Sequence, residues 1–201
     1  MKCNFENNDC VLSAFSSYSS TISGCDFLDG FSGIVLVRSH GVMFSDCTIS
    51  NITAVSFLNM QISISEFEGC GISLEGCQNV TISNNQISLS DIAISQWSAS
   101  HNNISLNTLH NNIGGILLSP YSDYNTVSEN TITQEDSSGT SVEDGSFNRI
   151  SQNDVKRVKD CAGYVLLRVG RRIIIYQKNL VVHSKIDMSG EGVKKTRVYK
   201  K

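Results

Sequence analysis

The nine residues 79–87, NVTISNNQI, decide how this chain is read. Val80 and Ile82 alternate with Thr81 and Ser83, the period of a half-buried strand, and the polar run Asn84-Asn85-Gln86 then breaks the strand before Ile87 resumes it. The same texture recurs. TISGCDF, MFSDCTI, SISEFEG, TISNNQI, NISLNTL, TVSENTI and RISQNDV align on Ser23, Ser45, Ser65, Ser83, Ser105, Ser128 and Ser151, in steps of 22, 20, 18, 22, 23 and 23 residues.

Two residues after each serine stands one column: Cys25, Cys47, Phe67, Asn85, Asn107, Asn130 and Asn153, extended back by 22 residues to Cys3. Two residues further on is an apolar column, Phe5, Phe27, Ile49, Ile87, Leu109, Ile132 and Val155, broken only at Gly69. A second strand follows in most units, as in IVLV, VSFL, ISL, IAI and GILL. A unit of about 22 residues is too short for a propeller blade, and it lacks the leucine consensus of a leucine-rich repeat. What fits is an all-β parallel solenoid of about eight coils, a rod roughly 35 to 40 Å long at ordinary strand spacing. In such a stack an asparagine at a bend can donate its amide to the coil above and accept from the coil below, which satisfies a polar group that would be costly alone.

Over residues 1 to about 155 this pattern resembles the right-handed parallel β-helix family with pectin-lyase-like repeats, in particular the NosD-like and carbohydrate-binding/sugar-hydrolase domains. The resemblance implies a secreted, periplasmic or cell-surface protein that meets polysaccharide. It leaves two function classes open, a non-catalytic binding module and a hydrolase, lyase or epimerase of acidic polymers. A structural spacer and a NosD-like copper-handling protein are further alternatives.

Residues 1–150 carry three basic side chains against fifteen acidic, a net −12, whereas 151–201 carry thirteen against four, a net +9. The body is therefore not built for nucleic acid. No run of eighteen apolar residues suggests a membrane span, and Met1-Lys2-Cys3-Asn4 is not followed by the apolar segment of a signal peptide. The chain as it stands reads as soluble and unexported, in tension with the resemblance. From Gly163 the texture changes, so the expected division is a repeat region, 1–160, and a basic β-rich cap and tail, 161–201. Tyr164 to Val169 against Arg172 to Gln177 reads as a hairpin turning at Gly170, although IYQKNLV also mimics a repeat unit with Asn179 in the asparagine column. No cap is visible before the first coil, which points to a truncated chain, to self-association or to a partner at that edge.

Superfamily enzymes cluster carboxylates, often with calcium, beside a basic residue. Asp26, Asp46, Glu66 and Glu68 flank the stacked column and are the acidic patch that a catalytic reading would use. Calcium is the one cofactor the resemblance brings in, and no resident metal is expected. Only Lys2 and Arg38 supply bases before residue 149, so a lyase would lack its base. The ligand-binding candidates are aromatic: Cys77, Trp97 and Tyr121 are read as one column after the second strand, with Tyr124 close by, as a platform for sugar rings or equally as turn residues covering the core. Met60, Cys77 and His40 would be the soft-metal version of that column.

The seven cysteines lack zinc spacing and are read as buried small side chains, with disulfides disfavoured because stacked side chains point the same way. His101 and His110 are read as surface residues. The sequons at Asn51, Asn79 and Asn103 are what an Asn- and Ser-rich chain produces by composition.

Overall fold

A computed structural model describes residues 3–52, 69–133, 138–143 and 145–156, and the backbone of six strands between Ala162 and Lys200. Six of the aligned repeat segments form three-residue strands: Thr21–Ser23, Met43–Ser45, Thr81–Ser83, Asn103–Ser105, Thr126–Ser128 and Arg149–Ser151. Together with Ile175–Gln177 and Lys194–Lys195 they make one eight-stranded parallel sheet. A fifteen-stranded sheet forms the remaining sides. In the first coils it consists of single twelve-residue strands, Asn4–Phe15 and Asp26–Val37. Later coils split that length in two, as in Gln86–Ser88 with Ile92–Trp97, or Thr108–His110 with Gly114–Leu118. The described strands all pair in parallel and none of the described residues is helical, so the chain is an all-β parallel solenoid.

Equivalent residues stack because the register is fixed at one coil: Ile82 pairs with Ile104, which pairs with Val127, which pairs with Ile150. All four are buried, as are Phe27, Ile49, Ile87, Leu109, Ile132 and Val155 on the next side and Ile34, Ile72, Ile94 and Ile116 on the third. Each such side chain contributes about 1.5–3 kcal/mol by leaving water. A one-residue slip would turn every strand's apolar residue outward, so this column holds the register.

Six turns begin at Thr21, Met43, Thr81, Asn103, Thr126 and Arg149, with Ile175–Gln177 and Lys194–Lys195 continuing the same sheet, and of the eight coils expected one drops out. Ser45 pairs directly with Ser83, 38 residues later, so the SISEFEG segment is not a coil of the stack. Ile52 O and Gly69 O both accept from Asp91 N, at 3.2 and 3.0 Å. The chain thus leaves and rejoins the same coil at one point. The sixteen residues between, 53–68, account for the difference between a step of 38 and one of 22. Phe67, Glu66, Glu68 and Met60 lie there, outside the described residues.

The hairpin expected in the tail is not formed. Ala162–Leu167 pairs in parallel with Ser138–Glu143, whereas Ile175–Gln177 pairs with Arg149–Ser151 in the other sheet. Leu180 pairs with Asp154, which gives Asn179 the place after Asn153 in the stack, as the repeat reading of that segment required.

Candidate functional site

The bends that position side chains outward are built from left-handed residues and buried polar columns. Gly24, Asp46, Asn84, Leu106, Glu129 and Gln152 occupy one corner with φ between 56° and 64°. The residue after each belongs to the column read from the sequence. Asn107 illustrates its bonding. Its Oδ1 accepts from Asn85 N and Asn85 Nδ2, both at 3.0 Å, while its Nδ2 donates to Ile82 O and to Asn130 Oδ1, both at 3.0 Å. Asn130 and Asn153 repeat this arrangement. Asn85 rests on Cys47, whose N–H it accepts at 3.0 Å, rather than on Phe67. Cys3, Cys25 and Cys47 continue the column without side-chain amides: Cys25 and Cys47 are buried and each donates its thiol to the carbonyl two residues earlier.

A second ladder escaped the sequence reading. Val80 N donates to Asn102 Oδ1, Asn102 N to Asn125 Oδ1 and Asn125 N to Asn148 Oδ1, at 2.8 to 2.9 Å. Its signal was present, since each member precedes a member of the first ladder by five residues. A third column uses smaller groups: Ser39 Oγ accepts from Ser17 N, Cys77 Sγ from Ser39 N and Ser122 Oγ from Ala99 N.

These columns redistribute the candidate residues. Asp26 pairs in register with Thr48, and Asp46 stands in the corner column on the other side of Cys25 and Cys47, so the two carboxylates flank the thiols from different columns. Among the described residues no three His, Cys, Asp or Glu side chains converge in a geometry that would hold a metal ion. Cys77 is fully buried, donates its thiol to Leu36 O, and belongs with Ser39 and Ser122. His40 is exposed, one position on, in bridge register with Tyr18 and Gln78, and its Nε2 lies 3.3 Å from Asn79 Nδ2. The soft-metal set is therefore not assembled.

The proposed aromatic column also separates. Trp97 pairs with Glu75, not Cys77, whereas Tyr121 shares the left-handed corner of Arg38, Gly76 and Ser98. The next coil carries one extra residue between Leu118, opposite Gln96, and Tyr121, opposite Ser98, which displaced the alignment. Trp97 and Tyr121 are left as diagonal neighbours on adjacent coils. Tyr124 occupies the next left-handed corner, with His101 and Phe147. There the three rings form a stack along the rod, His101 to Tyr124 at 5.0 Å and Tyr124 to Phe147 at 4.5 Å, with interplanar angles of 13° and 10°. A stacked ring has its faces covered, so Tyr124 offers its edge to a ligand. Tyr121 is 68% exposed, Tyr124 is 49% exposed, and among the described residues no ring stacks on Tyr121. Asp123 lies between them, its Oδ1 accepting from Ser146 N at 2.6 Å.

The sequence family model for the right handed beta helix region matches residues 59–193, about two thirds of the chain. The chain belongs to the right handed beta helix family. No curated protein matches it in sequence. Among solved structures of the same fold, the periplasmic alginate epimerase AlgG is 14% identical with a TM-score of 0.77 over 98% of this chain and 49% of its own. Its T265N T268M double mutant is 19% identical with a TM-score of 0.61 over 87% of this chain and 38% of its own. The catalytic domain of GH87 alpha-1,3-glucanase in complex with nigerose is 14% identical with a TM-score of 0.53, over 92% of this chain and 41% of its own. This chain thus spans about half the length of the epimerase or less of each structure it resembles. Among the described residues no helix is long and apolar enough to cross a membrane.

Proposed function

We propose that this chain is a non-catalytic β-helix module that binds polysaccharide across the Tyr121 corner, with Trp97 and Tyr124 beside it. The observation that carries the proposal is Tyr121: a large ring exposed at a left-handed corner, unstacked among the described residues, beside a tyrosine already fixed in a three-ring stack. A free aromatic face packs against sugar CH groups, and a pre-ordered neighbour binds without paying much side-chain entropy. The fold likeness to an alginate epimerase and an α-1,3-glucanase supports polysaccharide as the ligand class and a periplasmic or secreted location as the setting. A glycan array probed with and without calcium tests it. Tyr121→Ala and Trp97→Ala should each abolish the strongest signals; unchanged binding in both variants would remove the corner as the site.

The same likeness supports a second reading, a polysaccharide-cleaving or epimerising enzyme that uses Asp26 and Asp46. Turnover of an acidic polysaccharide that disappears in Asp46→Ala, while glycan binding persists, would favour the enzyme.

A further inference from the structure

The first three members of the inner column are thiols, and the glycan corner uses none of them. Asp26 N donates to Cys3 O at 2.9 Å and Thr48 N to Cys25 O at 3.0 Å, so the three cysteines stand on successive coils. Cys25 Sγ donates to Ser23 O and Cys47 Sγ to Ser45 O, at 3.4 and 3.2 Å. Both thiols use the same carbonyl two residues back. Their side chains therefore share one orientation, and their sulfurs repeat at the coil spacing of about 4.8 Å.

That spacing discriminates between the reactions open to two neighbouring thiols. A disulfide needs its sulfurs about 2.05 Å apart, so the pair would have to close by more than 2 Å across a fixed register. A linear thiolate–metal–thiolate bridge with bonds of about 2.3 Å spans about 4.6 Å and fits the coils as they stand. No third ligand converges to make a tetrahedral zinc site among the described residues. Charge then selects the ion. Cys25 is 7% and Cys47 2% exposed, in a body of net −12. A monovalent ion between two thiolates leaves a buried net negative charge, whereas a divalent ion leaves none.

We propose that Cys25 and Cys47 form a site for a linear, two-coordinate, thiophilic divalent cation of the mercuric type, with half-buried Cys3 as the thiol of first contact. With mercuric chloride, binding breaks two S–H and two Hg–Cl bonds, forms two S–Hg bonds and releases two protons and two chloride ions to solvent, with no change of oxidation state. The test is titration of the full reduced chain with mercuric chloride, read by thiolate-to-mercury charge-transfer absorbance, with proton release counted in the absence of other thiols and affinity measured separately against glutathione as competitor. Two protons per tightly bound ion are expected. Cys25→Ser and Cys47→Ser should each weaken binding at least ~100-fold, the upper end for loss of a mere supporting contact, while Cys70→Ser and Cys77→Ser leave it unchanged. Serine retains a donor for the carbonyl, and circular dichroism identifies any variant that has lost the fold; the other cysteine variant then provides the reading. One proton per ion, affinity unchanged in a folded Cys25→Ser or Cys47→Ser chain, or a ready Cys25–Cys47 disulfide in oxidised glutathione would each overturn the proposal.

Discussion

Replacing Asn107 by alanine removes a side chain that joins three coils, and the structure shows what would be stranded. Asn85 N–H loses the acceptor at 3.0 Å, and Ile82 O loses the amide that donates to it at 3.0 Å. The other two contacts are partly compensated. Asn85 Nδ2 keeps its bond to Phe44 O at 3.3 Å, and Asn130 Oδ1 keeps the Asn107 backbone N–H at 2.9 Å. Asn85 N–H is left unpaired at about 1–3 kcal/mol, while Ile82 O keeps its place in the strand ladder with Ser105, so Asn107→Ala should cost about 1–3 kcal/mol of a total stability on the order of 5–15 kcal/mol. The neighbouring Thr108, exposed beside it, should tolerate alanine within about 0.5 kcal/mol. Urea unfolding followed by circular dichroism measures both. A loss below about 1 kcal/mol in Asn107→Ala would mean that water or relaxation replaces the ladder, and the account of the buried columns given above would fail with it.

Other outcomes follow from the same geometry. Gly115→Ala should be more damaging than Gly24→Ala: a Cβ at Gly115 would lie 2.2 Å from Gly139 O, whereas at Gly24 it meets open space and only the φ of +64° opposes it, by about 1–2 kcal/mol; comparative thermal melts decide. Tyr124→Ala should cost about 1–3 kcal/mol by breaking two ring contacts, while Tyr121→Ala should leave stability nearly unchanged, which separates the fixed ring from the free one. Burial pushes the Cys70 thiol up to about 12, with nearby Asp91 adding to the rise, and burial raises Cys47 and Cys77 as well. The folded chain therefore holds these thiols neutral where the unfolded chain ionises them, so stability is intact below about pH 9 and falls as pH rises toward 12; urea midpoints that stayed flat across that range would contradict it.

The solenoid was legible because a ladder demands the same residue at every turn: Asn107, Asn130 and Asn153 must each offer an acceptor downward and a donor upward, and periodicity preserves that requirement in the sequence. The companion ladder through Asn102, Asn125 and Asn148 was equally periodic, and was obscured only by the abundance of asparagine around it. The Ser65 segment misled for a physical reason. Its sequence has the local texture of a coil, and only the direct pairing of Ser45 with Ser83 reveals that no strand of it lies between theirs. The Trp97–Tyr121 column failed by one added residue in the following coil, because side chains that point to solvent impose no register of their own. Burial, by contrast, corrected the reading of Cys77: its thiol satisfies a backbone carbonyl and accepts a backbone amide, which no spacing rule indicates.

The convergence of Ile52 and Gly69 on the single amide of Asp91 makes that corner a natural splice point. The two flanks are already held together by the coil above, and the cost of closing added chain between fixed ends grows by only about 0.6 kcal/mol per doubling of its length. Foreign sequence could be grafted there without re-indexing a single rung, and natural lineages could diversify at that corner while the rest of the rod stayed the same.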